Sequence, residues 1–203
     1  MIGRFSALCE RLCLEINPVE VFHSLRERYS EAGRAYHNVI HIQDCLDEFD
    51  GSRYLAQSPD DVEYALWFHD VIYDTRAKDN EERSGELAAR TAIDGGMPKL
   101  RALSIKELII VTKHDKIPIT ANAKIIADVD LAILGKPTEI FDDYDGKIRL
   151  EYNWVPEEQY RAGRTRVLKS FLDRTWVYST EQFKQKYEDK ARSNLKRALR
   201  RLA

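Results

Sequence analysis

The chain has 203 residues, 43% of them hydrophobic and 33% charged, with a formal net charge of -2. That length suits one domain with a sizeable core. The near balance of charge argues against nucleic acid as an obligatory partner. No run of about 18 apolar residues occurs, which argues against a membrane span. The start, Met1 to Glu10, lacks the apolar stretch of a signal peptide, so cytoplasmic residence is expected. Cys9, Cys13 and Cys45 do not form an even, spaced framework and read as free thiols.

Residues 4–15 predict an amphipathic helix, with Phe5, Leu8, Leu12 and Ile16 at helical spacing. Asn17-Pro18 starts a second helix, which runs to about Tyr29 with Val21, Phe22 and Leu25 inward. Val39, Ile42, Leu46 and Phe49 predict a third, to about Asp50. His37 and His41 share a face if that helix has begun by His37. Ser58-Pro59-Asp60-Asp61 is a strong helix start, and the helix it opens ends in His69-Asp70. Asp79-Asn80-Glu81-Glu82 opens the next, which stops at Gly95-Gly96. Further helices are predicted from Leu103 to His114, Lys124 to Leu134, 138 to 153, 156 to 176 and 180 to 201. No useful period-2 alternation appears, so the expected fold is all-α, one domain over residues 1–203.

The run Ala65 to Tyr73 is apolar and bulky except for His69 and Asp70. A carboxylate at the edge of a core costs several kcal/mol unless something pairs with it. A divalent cation does so, taking imidazole nitrogen and carboxylate oxygen together. His41, His69, Asp70 and Asp130 are therefore the candidate metal ligands, with His114 as a candidate for a second metal or for substrate. This nitrogen and oxygen set suits Mn, Mg, Fe, Co, Ni or Zn. Asp128 competes with Asp130 for the last position.

The pattern His41…His69-Asp70…Asp130 resembles the H…HD…D signature of the HD superfamily of metal-dependent phosphohydrolases. Tyr36-His37-Asn38-Val39-Ile40-His41 is similar to the Y-H-N-x-x-H element of cyclic-nucleotide phosphodiesterases, in which the second His binds metal and the first is a general acid. Together with Trp67–Asp74, Asp79–Ser84, Thr112–His114 and Asp128–Gly135, the chain resembles a group of mostly bacterial HD proteins described as predicted phosphohydrolases. The resemblance implies an HD-domain, phosphodiesterase-like helical bundle, and it favours Asp130 because the apolar Leu131–Leu134 run follows it directly. It implies His37 as acid, with capping or orienting His41's helix as its other reading, and Glu81 as orienter of water. Glu82 reads as a helix-start acid. Lys113 is a cation for the phosphate, or a helix-end charge. Arg161 and Arg164 read as ion-pair partners of surface acids before phosphate contacts.

Two departures matter. Tyr73-Asp74 stands where the phosphodiesterases place a further His, and no residue is assignable to their purine-gripping glutamine. A cyclic nucleotide is therefore not implied. The expected activity is metal-dependent hydrolysis of a phosphate ester or anhydride in a small phosphorylated metabolite, nucleotides included. The alternative is a non-catalytic metal- or nucleotide-binding regulatory module of the same fold. Homo-oligomerisation stays open. The basic C-terminal run from Lys184 to Arg201 reads as a solvated helix face, with RNA binding as a minor alternative.

Overall fold

Apolar positions at helical spacing become ten α-helices and no strand in the computed structural model, which describes residues 1–203. In chain order they are α1 (Ile2–Arg11), α2 (Pro18–Tyr29), α3 (Val39–Asp50), α4 (Pro59–Phe68), α5 (Asn80–Asp94), α6 (Lys99–Val111), α7 (Ala121–Asp130), α8 (Thr138–Glu151), α9 (Glu157–Leu172) and α10 (Glu181–Leu202). The protein is all-α, as expected from its sequence. No helix is long and apolar enough to cross a membrane.

Helix α4 is the axis. Every residue from Val62 to Phe68 is buried, as befits a helix apolar on all sides. It packs against α1, α3, α5, α6 and α7. Trp67 meets Phe5 and Phe22 edge-on, at centroid separations of 5.3 and 6.0 Å. Glu63 is the one buried acid on this helix, and Arg4, Arg11 and Arg53 all bond to its carboxylate. Without them its desolvation would cost several kcal/mol.

Several helix ends differ from expectation. The first helix stops at Arg11 rather than residue 15 because Cys13 adopts a left-handed backbone (φ 53°). The Cys13 amide then bonds Glu10 O and the Leu14 amide bonds Cys9 O, a Schellman closure built without glycine. Gly96 (φ 85°) closes α5 in the same way, with the Met97 amide on Ala92 O. Ser58 stands at the N-cap of α4 but its side chain makes no capping bond; Asn122 Oδ1 instead accepts the Gln57 and Ser58 amides. The predicted 124–134 helix begins earlier, at Ala121, and tightens after Asp130 into a 3-10 turn, Leu131–Gly135.

That turn packs on α10. Gly135 makes the approach feasible, since a Cβ there would lie 2.5 Å from Tyr187 Cβ. Several basic residues of α10 pair with acids, while Lys186, Lys190, Lys196, Arg200 and Arg201 remain exposed. Lys186 reaches Glu48, Arg192 reaches Glu188, and Arg197 and Arg201 reach Asp142. This helix is therefore a strut ion-paired to the fold on one side and basic and solvated on the other, as its sequence suggested.

Glu48 ties α3 to this strut. Its carboxylate takes Lys136, Lys186 (3.0 Å) and the Tyr187 hydroxyl (2.6 Å). Burial alone would raise its pKa, yet Lys136, Tyr187 and Lys186 together hold it below the ordinary 4.5. A carboxylate depressed in the folded state stabilises above its unfolded pKa, and that contribution fades as pH falls through the folded value. The melting-temperature gap between wild type and Glu48→Gln should therefore be widest near neutral pH and shrink in acid, below about pH 4.5. A gap independent of pH would show that Glu48 acts only through packing.

Candidate metal centre

Three helix ends deliver the candidate ligands. His41 sits in the first turn of α3, His69 and Asp70 follow the end of α4, and Asp130 is the last residue of α7. A helix end is where a side chain can leave the packed core without breaking the backbone ladder. His41 and His69 are almost fully buried.

The donor atoms converge. His41 Nε2 lies 3.1 Å from His69 Nε2, 3.4 Å from Asp70 Oδ2 and 3.3 Å from Asp130 Oδ1. His69 Nε2 lies 3.2 Å from Asp70 Oδ2 and 3.5 Å from Asp130 Oδ1. Metal–donor bonds of about 2.0–2.2 Å place neighbouring donors around one ion roughly 3.0–3.5 Å apart. His69 Nδ1 is 2.8 Å from Leu66 O, which only accepts, so Nδ1 carries the proton and the Nε2 lone pair faces His41. Two imidazole nitrogens aimed at each other need a proton or a cation between them.

The charges point the same way. Burial would raise the Asp70 and Asp130 pKa values, but the imidazoles hold both well below the ordinary carboxylate range: His69 and His37 chiefly for Asp70, and His114 and His41 chiefly for Asp130. Burial opposes a charged His69, yet Asp70 and Asp130 hold it well above 6.5. Two ionised carboxylates at the core edge demand two positive charges. Two imidazolium rings supply them, or one divalent cation with the rings neutral.

Cys45 belongs to the same cluster, a residue that sequence reasoning read only as a buried thiol. Its Sγ lies 3.7 Å from both ring nitrogens of His41, one turn along α3. Ligating atoms of His41, Cys45, His69 and Asp130 all fall within 4.8 Å of one another, so this group could hold a metal ion. That group does not include Asp70, whose Oδ2 nonetheless lies 3.4 Å from His41 Nε2 and 3.2 Å from His69 Nε2, nearer to His41 than the thiol is.

Asp128 and Asp130 part company. Asp128 faces away, accepting the Ser179 and Thr180 amides and the Thr180 hydroxyl, each at 2.7 Å. It anchors the start of α10. Asp130 gives Oδ1 to the cluster and Oδ2 to His114 Nε2 at 2.8 Å. His114 has a left-handed backbone (φ 57°), an uncommon conformation for a non-glycine residue and one often found at functional sites. It orients Asp130.

His37 does not share a helix face with His41, because Asn38 caps α3 and His37 precedes it. The two rings nonetheless sit 5.7 Å apart, edge to face. His37 Nδ1 bonds Glu151 Oε2 at 2.7 Å, and its ring stacks on Tyr73. Glu151 is buried at the end of α8. It also accepts the Tyr36 and His37 amides and the Tyr73 hydroxyl. Arg34, buried, donates to the carbonyls of His37, Asp70 and Val71, clamping the His37 segment to the turn after α4. Neither Glu151 nor Arg34 carried a sequence signal; Glu151 looks like any acid of the acidic α8.

A cavity of about 840 Å³ opens over the cluster, and His37, Asp70, Glu81, Lys113, His114 and Asp130 all line it. Glu81 is half-buried, with its pKa raised chiefly by burial. Lys113 is held at the wall by Glu82 and the Lys78 carbonyl. Arg164 pairs with Asp145, and Arg161 bonds Leu202 O, so both are engaged within the protein. A smaller cavity, about 270 Å³, reaches His41, Cys45 and Asp130.

The chain matches no protein-family model, no curated protein and no solved structure.

Replacing each aspartate separates their roles. Asp130→Asn should abolish metal uptake and also lower the melting temperature of the metal-free protein, because it removes a carboxylate that the buried imidazoles pair with. Asp128→Asn should lower that melting temperature by several degrees and keep metal uptake. Elemental mass spectrometry and thermal melting read both, and the opposite pattern of metal uptake would reverse the assignment.

Proposed function

We propose that this chain is an HD-type, metal-dependent phosphohydrolase acting on a phosphate ester or anhydride of a small phosphorylated metabolite, nucleotides included. The observation that carries the reading is the meeting of two imidazoles and two carboxylates, at 3.1–3.5 Å, at the wall of one cavity beside His37. In this reading His41, His69, Asp70 and Asp130 hold a divalent ion. Such an ion, when bound, lowers the pKa of water and neutralises charge on a phosphoryl oxygen.

The remaining roles fall to this chain's own side chains. Glu151 takes the Nδ1 proton of His37 as a hydrogen bond, which leaves Nε2 as the nitrogen free for the reaction. With His37 protonated, Nε2–H gives its proton to the leaving oxygen and the ring ends neutral, still bonded to Glu151. Glu151 is thus a positioning residue, held by two backbone amides and by Tyr73. Glu81, on the same wall, accepts a hydrogen bond from the attacking water. Lys113 adds positive potential for the phosphate. The aromatic and aliphatic part of the wall, with Tyr36, Tyr144 and Phe171, accommodates the body of the substrate.

The first test is metal content of the purified protein, wild type beside Asp70→Ala. The expected result is about one ion per wild-type chain, or more, and none in the variant. Absence of metal in both, even after Mn, Mg or Zn is supplied, would overturn the reading. A panel of phosphate esters and anhydrides follows with the retained metal. Metal without turnover on any member would favour the regulatory module. His37→Ala should keep its metal and lose roughly 10²–10⁴-fold in turnover. Full turnover in that variant would remove His37 from the mechanism.

A further inference from the structure

The cavity has a second polar feature that the hydrolytic reading leaves unused. Arg164, on α9, is buried, yet its guanidinium lines the cavity. Its Nε and Nη2 both bond a single oxygen, Asp145 Oδ1, at 3.0 and 2.8 Å. Nη1 bonds no carboxylate or carbonyl of the protein, and the Tyr144 side chain is the guanidinium's other neighbour. Nη1 is not a sealed, unpaired atom but is reached from the cavity, so its N–H groups are open to an acceptor that enters there.

The charge around it is unbalanced. Asp145 is shared with Arg201, which also pairs with Asp142, and Asp142 takes Arg197 as well. Three guanidiniums therefore face two carboxylates in this network. Arg197 and Arg201 are partly exposed and hydrated at the surface, whereas Arg164 meets solvent only through the cavity.

The route from the metal centre to Arg164 is aromatic. Centroid separations of 4.7 Å from His41 to Tyr36 and 4.6 Å from Tyr36 to Tyr144 lead to the Arg164 guanidinium, 5.2 Å from the Tyr144 ring. Both tyrosines line the cavity. A flat ring suits that stretch of wall.

We propose that Arg164 is a specificity-determining residue that binds a second oxyanion of the substrate, a carboxylate or a phosphate. The substrate class is then a phosphate ester with an aromatic ring and an anionic group on the far side of that ring. This rests on the cluster being the end that receives the scissile phosphate. Arg pairs with such oxyanions through its planar fork, which favours it over a generic cation.

Phosphonates test this, because their P–C bond is not hydrolysed. The probes are phenylphosphonate, (4-carboxyphenyl)phosphonate and 1,4-phenylenebisphosphonate, with affinities measured by calorimetry on the wild-type protein with and without Mn²⁺. At least one of the two dianionic-ended probes should bind about tenfold more tightly than phenylphosphonate. Which one gains tells carboxylate from phosphate. The preference should persist without Mn²⁺ and vanish in Arg164→Gln, whose folding is checked by thermal melting.

Equal affinities of all three probes for wild type would overturn the proposal, and this comparison decides alone if Arg164→Gln does not fold. A preference that survives in a folded Arg164→Gln would overturn it too. Failure of the metal reading looks different: Mn²⁺ would then change the affinity of none of the probes, whatever their second group.

Discussion

Asp70 and Asp130 bring two negative charges against the same pair of buried imidazoles, at the edge of an apolar core. Desolvating two carboxylates side by side is among the least favourable acts a fold can perform unless positive charge is supplied between them. Much of the local architecture follows from that constraint. His69 is fixed in one tautomer by Leu66 O, and Asp130 is turned by a strained His114. Protonated imidazoles balance the two carboxylates in this arrangement, so a divalent ion taken up there would displace protons.

Around this charge knot, the protein spends other buried polar groups on holding backbone rather than on reacting. Arg34 gathers three carbonyls from two segments, and Glu151 gathers two amides, a phenol and an imidazole. Between them they set the distance from His37 to the turn that carries His69 and Asp70. His37 has no helix of its own to hold it, so its placement depends on these long-range bonds. Asp128 and Glu188 do similar work on the backbone that leads into α10, at Val177 to Thr180. Apart from Glu63, which binds three arginines, the buried acids of this fold hold backbone.

The cavity owes its shape to α8 and α9, which contribute Tyr144, Ile148, Tyr160 and Arg164, while the ligands come from α3, α4 and α7. The cluster and the opposite wall of the cavity are therefore built by different parts of the chain. Helix α10 supports the second group through its ion pairs to Asp142 and Asp145. Its cations keep a solvated outer face, although Lys186, Arg192, Arg197 and Arg201 also pair with acids of the fold.

Much was determined by the sequence itself. Spacing of Phe5, Leu8, Phe22, Leu46 and Leu66 produced the helices and the core, because amphipathic periodicity is a local property that burial then enforces. His41, His69, Asp70 and Asp130 stood out because ionisable ligand types at the ends of apolar runs have few bland explanations. The resemblance favoured Asp130 over Asp128, and only the tertiary structure showed what each of them faces. The two are neighbours on one helix with similar surroundings in sequence, and what differs is the element each one faces. Glu151 and Arg34 were likewise silent, since their partners lie across the fold and no local pattern encodes a hydrogen bond made 115 residues away, as that between Tyr36 and Glu151 is. Helix existence is decided by neighbours in the chain; the site is decided by which helix ends meet, and that is settled by packing.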